Sequence, residues 1–132
     1  MIVDTSALIA VLKAEPDHAL FTDALQRGGL QMSAASYLET AIVADRHPNP
    51  LLSRGLDQLI ETAGILIVPV TAAQVQIARA AHRDFGRGSG HAARLNFGDC
   101  FAYALATERA EPLLYKGDDF GHTDVRSAIA SP

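Results

Sequence analysis

Met1-Ile2-Val3-Asp4-Thr5-Ser6-Ala7-Leu8 is the stretch that decides the fold. Ile2 and Val3 are β-branched, and the run is too short for a helix. Met1 to Asp4 therefore reads as a buried strand that ends on a carboxylate. Thr5 follows, and Ser6 to Lys13 forms a short helix that stops ahead of Pro16. Asp4 thus stands where a strand hands over to a helix. In an open α/β sheet, ligands bind outside the carboxyl ends of the strands. Two roles compete for Asp4. It can cap the helix by accepting an orphan backbone N–H. It can also hold a divalent cation on which Glu39, Asp99 and one of Asp118 or Asp119 converge.

The remaining chain repeats the alternation of strand and helix. Asp17 to Arg27 carries Ala19, Leu20, Phe21, Ala24 and Leu25 at helical spacing and closes on Gly28-Gly29. Leu30 to Met32 is a second strand, and Ser33 can cap a helix over Ala35 to Arg46 with apolar Leu38, Ala41, Ile42 and Ala44. Leu51 to Ala63 is amphipathic through Leu52, Leu56, Leu59 and Ile60. Gly64 to Val68 is a strand apolar on both faces, as parallel sheets require. Thr71 starts a helix through Phe85, with Val75, Ala78 and His82 or Phe85 along one side, before a mobile glycine-rich loop from Gly86 to Gly90. Asn96 to Glu108 is the last long helix, Leu113 to Tyr115 a strand and Lys116 to Phe120 its exit loop. One more short strand is expected near Asp124 to Arg126. The pattern implies a single α/β domain over residues 1–132, with a parallel sheet covered by helices on both faces.

Composition narrows the class. With 132 residues and 48% apolar side chains, the chain can bury a proper core. No apolar run is long enough for a membrane span, and no secretory signal opens the chain. The single Cys100 excludes an internal disulfide, reads as a small core residue and suits a cytoplasmic protein. A net charge of −4 argues mildly against broad nucleic-acid affinity, but clustered carboxylates awaiting a metal also make a chain acidic. There is no Trp, and three Tyr and five Phe make a poor base-stacking platform.

Each further acid has a structural role that competes with a chemical one. Glu39 lies three and four residues from Ile42 and Val43, so it shares a helical face with apolar neighbours. It either pairs with a metal or an Arg there, or reaches water from the edge of the stripe. Asp99 follows Asn96 by three residues and so falls in a helix's first turn, where it can close a cap. The apolar run Cys100 to Ala106 buries that helix and brings its start near the core. Asp118 and Asp119 follow a strand, as Asp4 does, although Gly117-Asp118 is also turn chemistry. Hard cations such as Mg²⁺ and Mn²⁺ take carboxylate oxygens and keep several waters, which leaves room for phosphate.

Four pieces together resemble the PIN-domain family, and within it the VapC toxins of toxin–antitoxin pairs. They are Ile2-Val3-Asp4-Thr5-Ser6, Ser36-Tyr37-Leu38-Glu39-Thr40, Asn96-Phe97-Gly98-Asp99-Cys100, and Gly117-Asp118-Asp119-Phe120 with Thr123-Asp124. The resemblance covers essentially the whole chain. It implies a three-layer α/β/α fold with a central, mostly parallel sheet of about five strands. It implies a Mg²⁺- or Mn²⁺-dependent endoribonuclease that hydrolyses RNA with a metal-activated water. Asp4, Glu39 and Asp99 match the family's first three acids, with Asp4 and Asp99 on the metal, and Glu39 either reaching it through water or orienting the nucleophile. Many members read Thr-x-Asp near the fourth acid, whereas this chain reads Tyr115-Lys116-Gly117-Asp118-Asp119, so Asp118 and Asp119 both stay open. Thr5 or Ser6 would support the site by hydrogen bonding. The implied partners are RNA, a VapB-like antitoxin and a second copy of the chain.

Residues 79 to 94 form the most basic segment, with Arg79, Arg83, Arg87 and Arg94 against the single acid Asp84. These arginines, with Lys116, are candidate contacts for RNA phosphates or for an acidic antitoxin tail, unless they only solvate a helix face. The five His and lone Cys have no zinc-ligand spacing. A non-catalytic, receiver-like phosphate- or partner-binding module is the rival reading. It needs an Asp after the third strand, where this chain reads Val68-Pro69-Val70. A dehalogenase-type phosphatase needs a second Asp two residues after the first, and position 6 is Ser.

Overall fold

The computed structural model describes residues 1–129, built on four short parallel strands. These are β1 (Ile2–Val3), β2 (Gln31–Ser33), β3 (Leu66–Val68) and β4 (Leu113–Leu114), in the sheet order β3-β2-β1-β4. Ile2 faces Gln31 on one side and Leu113 on the other, so β1 is interior. The helices are α1 (Thr5–Leu12), α2 (His18–Leu25), α3 (Ala34–Arg46), α4 (Leu51–Ala63), α5 (Ala72–Phe85) and α6 (Phe97–Arg109). α4 ends where Gly64 turns left-handed (φ 68°), which lets its N–H bond back to Glu61 and points the chain into β3.

Side chains alternate across a strand, and that alternation builds the layers. Ile2 and Leu113 enter one core with Ala78 and Ala81 of α5 and Leu105 of α6. Val3 and Leu114 enter the other with Leu8 of α1, Phe21 and Leu25 of α2 and Leu56 of α4. This is the expected three-layer α/β/α arrangement. Ile2, Leu8 and Leu113 have no exposed surface, and burial of each contributes about 2 kcal/mol. The same alternation turns the next residue, Asp4, toward the α6 side of the sheet. It still has extended backbone (ψ 156°), and α6 is the helix whose first turn holds Asp99.

Several local expectations need correction. β3 is an edge strand with Leu66 61% exposed, so it is not covered on both faces. The buried face of α3 is Ser36, Thr40 and Ala44, not Leu38 and Ile42, which are exposed. Small and polar residues face inward where the Thr5 hydroxyl of α1 bonds Ser36 O and meets Thr40 Oγ1. α5 likewise buries Gln74, Ala78 and Ala81 while Val75 points out, and in α2 Leu20 points out. The strand expected near Asp124 to Arg126 is reduced to a bridge. Ser127 pairs in parallel with Leu113, supported by Leu113 N–H to Arg126 O and Ala128 N–H to Leu113 O, both 2.8 Å. The base of the glycine-rich loop is tied by a bridge between Gly86 and Leu95. Among the described residues, no helix is long and apolar enough to cross a membrane.

Candidate active site

Asp4 is both a cap and a buried acid. Its Oδ2 accepts the Ser6 N–H at 3.0 Å and the Ser6 hydroxyl at 2.6 Å, and only 4% of the residue is exposed. Burial pushes the carboxyl above its ordinary range, the Ser6 bonds pull it back, and the charge of Glu39 raises it again. Ser6 Oγ also accepts the Lys116 backbone N–H at 2.9 Å. One hydroxyl therefore fixes the first acid and ties the loop after β4 to it. Thr5 does something else. Its hydroxyl donates to Ser36 O at 3.0 Å, and Thr40 Oγ1 lies 2.8 Å from the same carbonyl and 3.1 Å from Thr5 Oγ1. This small polar knot joins α1 to α3 and holds the helix that carries Glu39. The sequence reading missed Thr40 and Ser36; polar residues four apart on the inner face of a helix were the available signal.

Asp99 closes a reciprocal cap. Asn96 Oδ1 accepts the Asp99 N–H at 2.8 Å, and Asp99 Oδ2 accepts the Asn96 N–H at 3.0 Å. Its carboxyl is nevertheless pushed up to about 7, first by desolvation and then by the charges of Asp4, Asp119 and Glu39, against the pull of the Asn96 bond. The beginning of α6 is thus where the fields of four acids overlap. Asp119, exposed just ahead of the 3₁₀ turn Phe120–His122, is one of the charges that raise Asp99. Cys100, next in the helix, is buried, and its thiol is pushed up to about 11 by burial and by Asp99, which leaves it inert.

Among the described residues, no lysine or arginine pairs with this cluster. Among the described residues, the salt bridges are Met1–Glu111, Arg83–Asp84, Arg109–Glu108, Lys116–Glu15 and Lys116–Asp17. Lys116 therefore does not lie free beside the acids for phosphate. Its ammonium bonds Asp17 at 2.8 Å and also Glu15, and both raise its pKa. Its backbone, not its charge, serves the site. Nor do the acids close around one point: among the described residues, no three carboxyl, imidazole or thiol groups form a ready metal cage. The donor set still fits a hard divalent cation. Such an ion keeps several waters, needs one or two carboxylates, and is favoured where like charges repel without a partner.

The basic candidates lie to one side. Arg79 flanks a cleft between α5 and α6 with Val75, His82, Phe97 and Phe101, next to the first turn that holds Asp99. Arg83 lies 3.1 Å from Asp84 with both side chains exposed, a pair too weak to withdraw it from the candidates. Arg87 and Arg94 are exposed on the bridged loop leading into α6.

Comparison with known proteins fits this geometry. The PIN domain model matches residues 1–126. The chain belongs to the PIN-domain family. As a PIN domain it is 58% identical over 130 residues to Ribonuclease VapC28 of Mycobacterium tuberculosis, covering 98% of each chain. It is 47% identical over 129 residues to Ribonuclease VapC42 of the same species, covering 97% of this chain and 98% of that one. Among solved structures, it shares the fold of the sarcin–ricin-loop-cleaving toxin VapC20 of M. tuberculosis. The TM-score is 0.72 at 16% identity, over 94% of this chain and 95% of that one. A toxin–antitoxin complex from Klebsiella pneumoniae gives a TM-score of 0.70 at 15% identity, over 93% and 92%. Membership of the PIN family displaces the receiver-like reading.

Proposed function

We propose that this chain is a Mg²⁺- or Mn²⁺-dependent endoribonuclease and the toxin of a VapBC-type pair, acting in the cytoplasm as one domain. The observation that carries the reading is the overlap of four acidic fields at the start of α6 with, among the described residues, no lysine or arginine paired to them. The names of the relatives above support the ribonuclease activity.

Asp4 and Asp99 would hold the cation and Glu39 would face it from α3, with Asp119 adding charge from the exit loop. When bound, the cation supplies Lewis-acid charge at the phosphate and lowers the pKa of water. The chain's own residues do the rest. The Ser6 and Asn96 bonds fix the Asp4 and Asp99 carboxylates before substrate arrives. Glu39 orients the attacking water in line with the leaving oxygen. Arg79, Arg87 and Arg94 take neighbouring phosphates along the RNA.

Two partners complete the reading. One is a VapB-like antitoxin, consistent with toxin–antitoxin complexes among the structural neighbours. The other is a second copy of the chain, seated on the exposed apolar face of Leu38, Ile42, Val43 and Phe97 beside Glu39.

The test is cleavage of total RNA by antitoxin-free protein with Mg²⁺, Mn²⁺ or EDTA, alongside Asp99→Asn. Discrete cuts that need metal and vanish in Asp99→Asn support the reading. No cutting by folded protein with any metal refutes it, and cutting that persists in Asp99→Asn refutes the site.

A further inference from the structure

Gly98 occupies the first turn of α6, between Phe97 and the acid Asp99. Its backbone does not call for glycine, because its φ is not among the positive ones. Glycine is also a poor helix former, so local propensity argues against it at this position. The reason is space. A Cβ built on Gly98 would lie 2.1 Å from Glu39 Oε2, 2.8 Å from Glu39 Cδ and 3.0 Å from Glu39 Oε1. The three nearest atoms all belong to one carboxyl group, which comes from a different helix.

We propose that Gly98 is a positioning residue whose missing side chain forms the slot that seats the Glu39 carboxylate against the first turn of α6, beside Asp99. The inference rests on the reading of Glu39 as a site acid. α3 sets where the Glu39 side chain starts, and the slot sets where its carboxylate stops. A methyl group at position 98 leaves the backbone of both helices in place, because the obstructing atoms are the end of a flexible side chain. Glu39 is displaced toward the groove lined by Leu38, Ile42 and Phe101, on the face proposed above for a second copy. The fold survives and the spacing of the acids is lost.

The experiment compares wild type, Gly98→Ala, Glu39→Ala and the double variant, each as the full chain. Without metal, the midpoint of urea unfolding should rise on Gly98→Ala in the Glu39→Ala background, where the helix gains alanine without obstruction. In the wild-type background the same substitution should raise it less, or lower it. Mn²⁺ affinity, measured by calorimetry without RNA, should fall roughly tenfold or more in Gly98→Ala. On RNA, kcat should fall while KM holds, because the slot orients a carboxylate and touches no substrate. An equal rise of the midpoint in both backgrounds with unchanged Mn²⁺ affinity overturns the proposal. If the two sites couple in unfolding but wild type cuts no RNA, the slot stands and the nuclease reading falls. If wild type cuts RNA and Gly98→Ala cuts it with the same kcat, the slot falls and the nuclease reading stands.

Discussion

Replacing Asp99 with Asn should make the metal-free protein more stable at neutral pH and change how its stability depends on pH. In the folded chain the Asp99 carboxyl is pushed from 3.8 up to about 7, so the native state holds the proton more tightly than the unfolded state. Its contribution is therefore full below pH 3.8 and is lost as pH rises through about 7. At full strength a displacement of that size corresponds to about 4 kcal/mol. Asp99 is partly open to solvent, which screens the repulsion, so about 2 kcal/mol is the working figure. Asn keeps an oxygen that can accept the Asn96 N–H, so the cap survives and the charge alone is removed. The assay is urea unfolding of both proteins in EDTA at steps from pH 4 to pH 8. Between those limits wild type should lose about 2 kcal/mol relative to the variant. Mn²⁺ at pH 7.5 should then restore wild type and leave Asp99→Asn unmoved, since a ligand at about a hundred times its Kd adds about 2.7 kcal/mol to a protein that binds it. Parallel pH curves would refute the claim that Asp99 sits in the overlapping field of Asp4, Asp119 and Glu39.

Ser6→Ala removes both the hydroxyl that holds Asp4 and the acceptor of the Lys116 N–H, so urea unfolding should show a loss of about 1–2 kcal/mol together with slower RNA cleavage. Unchanged stability would mean the hydroxyl is not a structural tie. Lys116→Ala frees Glu15 and Asp17 at the corner between α1 and α2; the thermal midpoint should drop slightly while the salt dependence of RNA binding stays as in wild type, and a shallower salt slope would put Lys116 on phosphate after all. Arg87→Ala, by contrast, should weaken RNA binding and reduce the salt slope by roughly one counterion, as read by binding titrations at several salt concentrations. Ala110→Gly should stabilise the chain by about 1 kcal/mol in urea, because Ala110 ends α6 in a left-handed conformation at φ 52°.

The elements legible in the sequence are those whose cause is local. β1 and α1 follow from Ile2, Val3 and the change of period after Asp4, and each helix lies within a few residues of its expected span. The sheet order β3-β2-β1-β4 is not local, since β1 pairs with a strand more than a hundred residues away. The inward face of α3 escaped for a related reason. Periodicity counts apolar residues, but the inward face is small and partly polar, Ser36, Thr40 and Ala44 rather than Leu38, Ile42 and Val43. Lys116 escaped because its partners, Glu15 and Asp17, lie on an unrelated helix corner. For Asp4 and Asp99 the sequence offers cap or site as alternatives; the structure shows both as caps, and Asp99 in addition feels the charge of Asp4. Ser6 fixes Oδ2 of Asp4, and Asn96 fixes Oδ2 of Asp99, so each cap sets the direction of a carboxylate that feels a like charge, Glu39 for Asp4 and Asp4, Asp119 and Glu39 for Asp99. A carboxylate with a free rotamer would turn away from its like-charged neighbours. Capping holds it in the repulsive field, and under the proposed function that is the repulsion a dication would relieve. Under the function proposed above, the capping signatures and the chemistry do not compete: the caps would be the means by which the chain preorganises its acids.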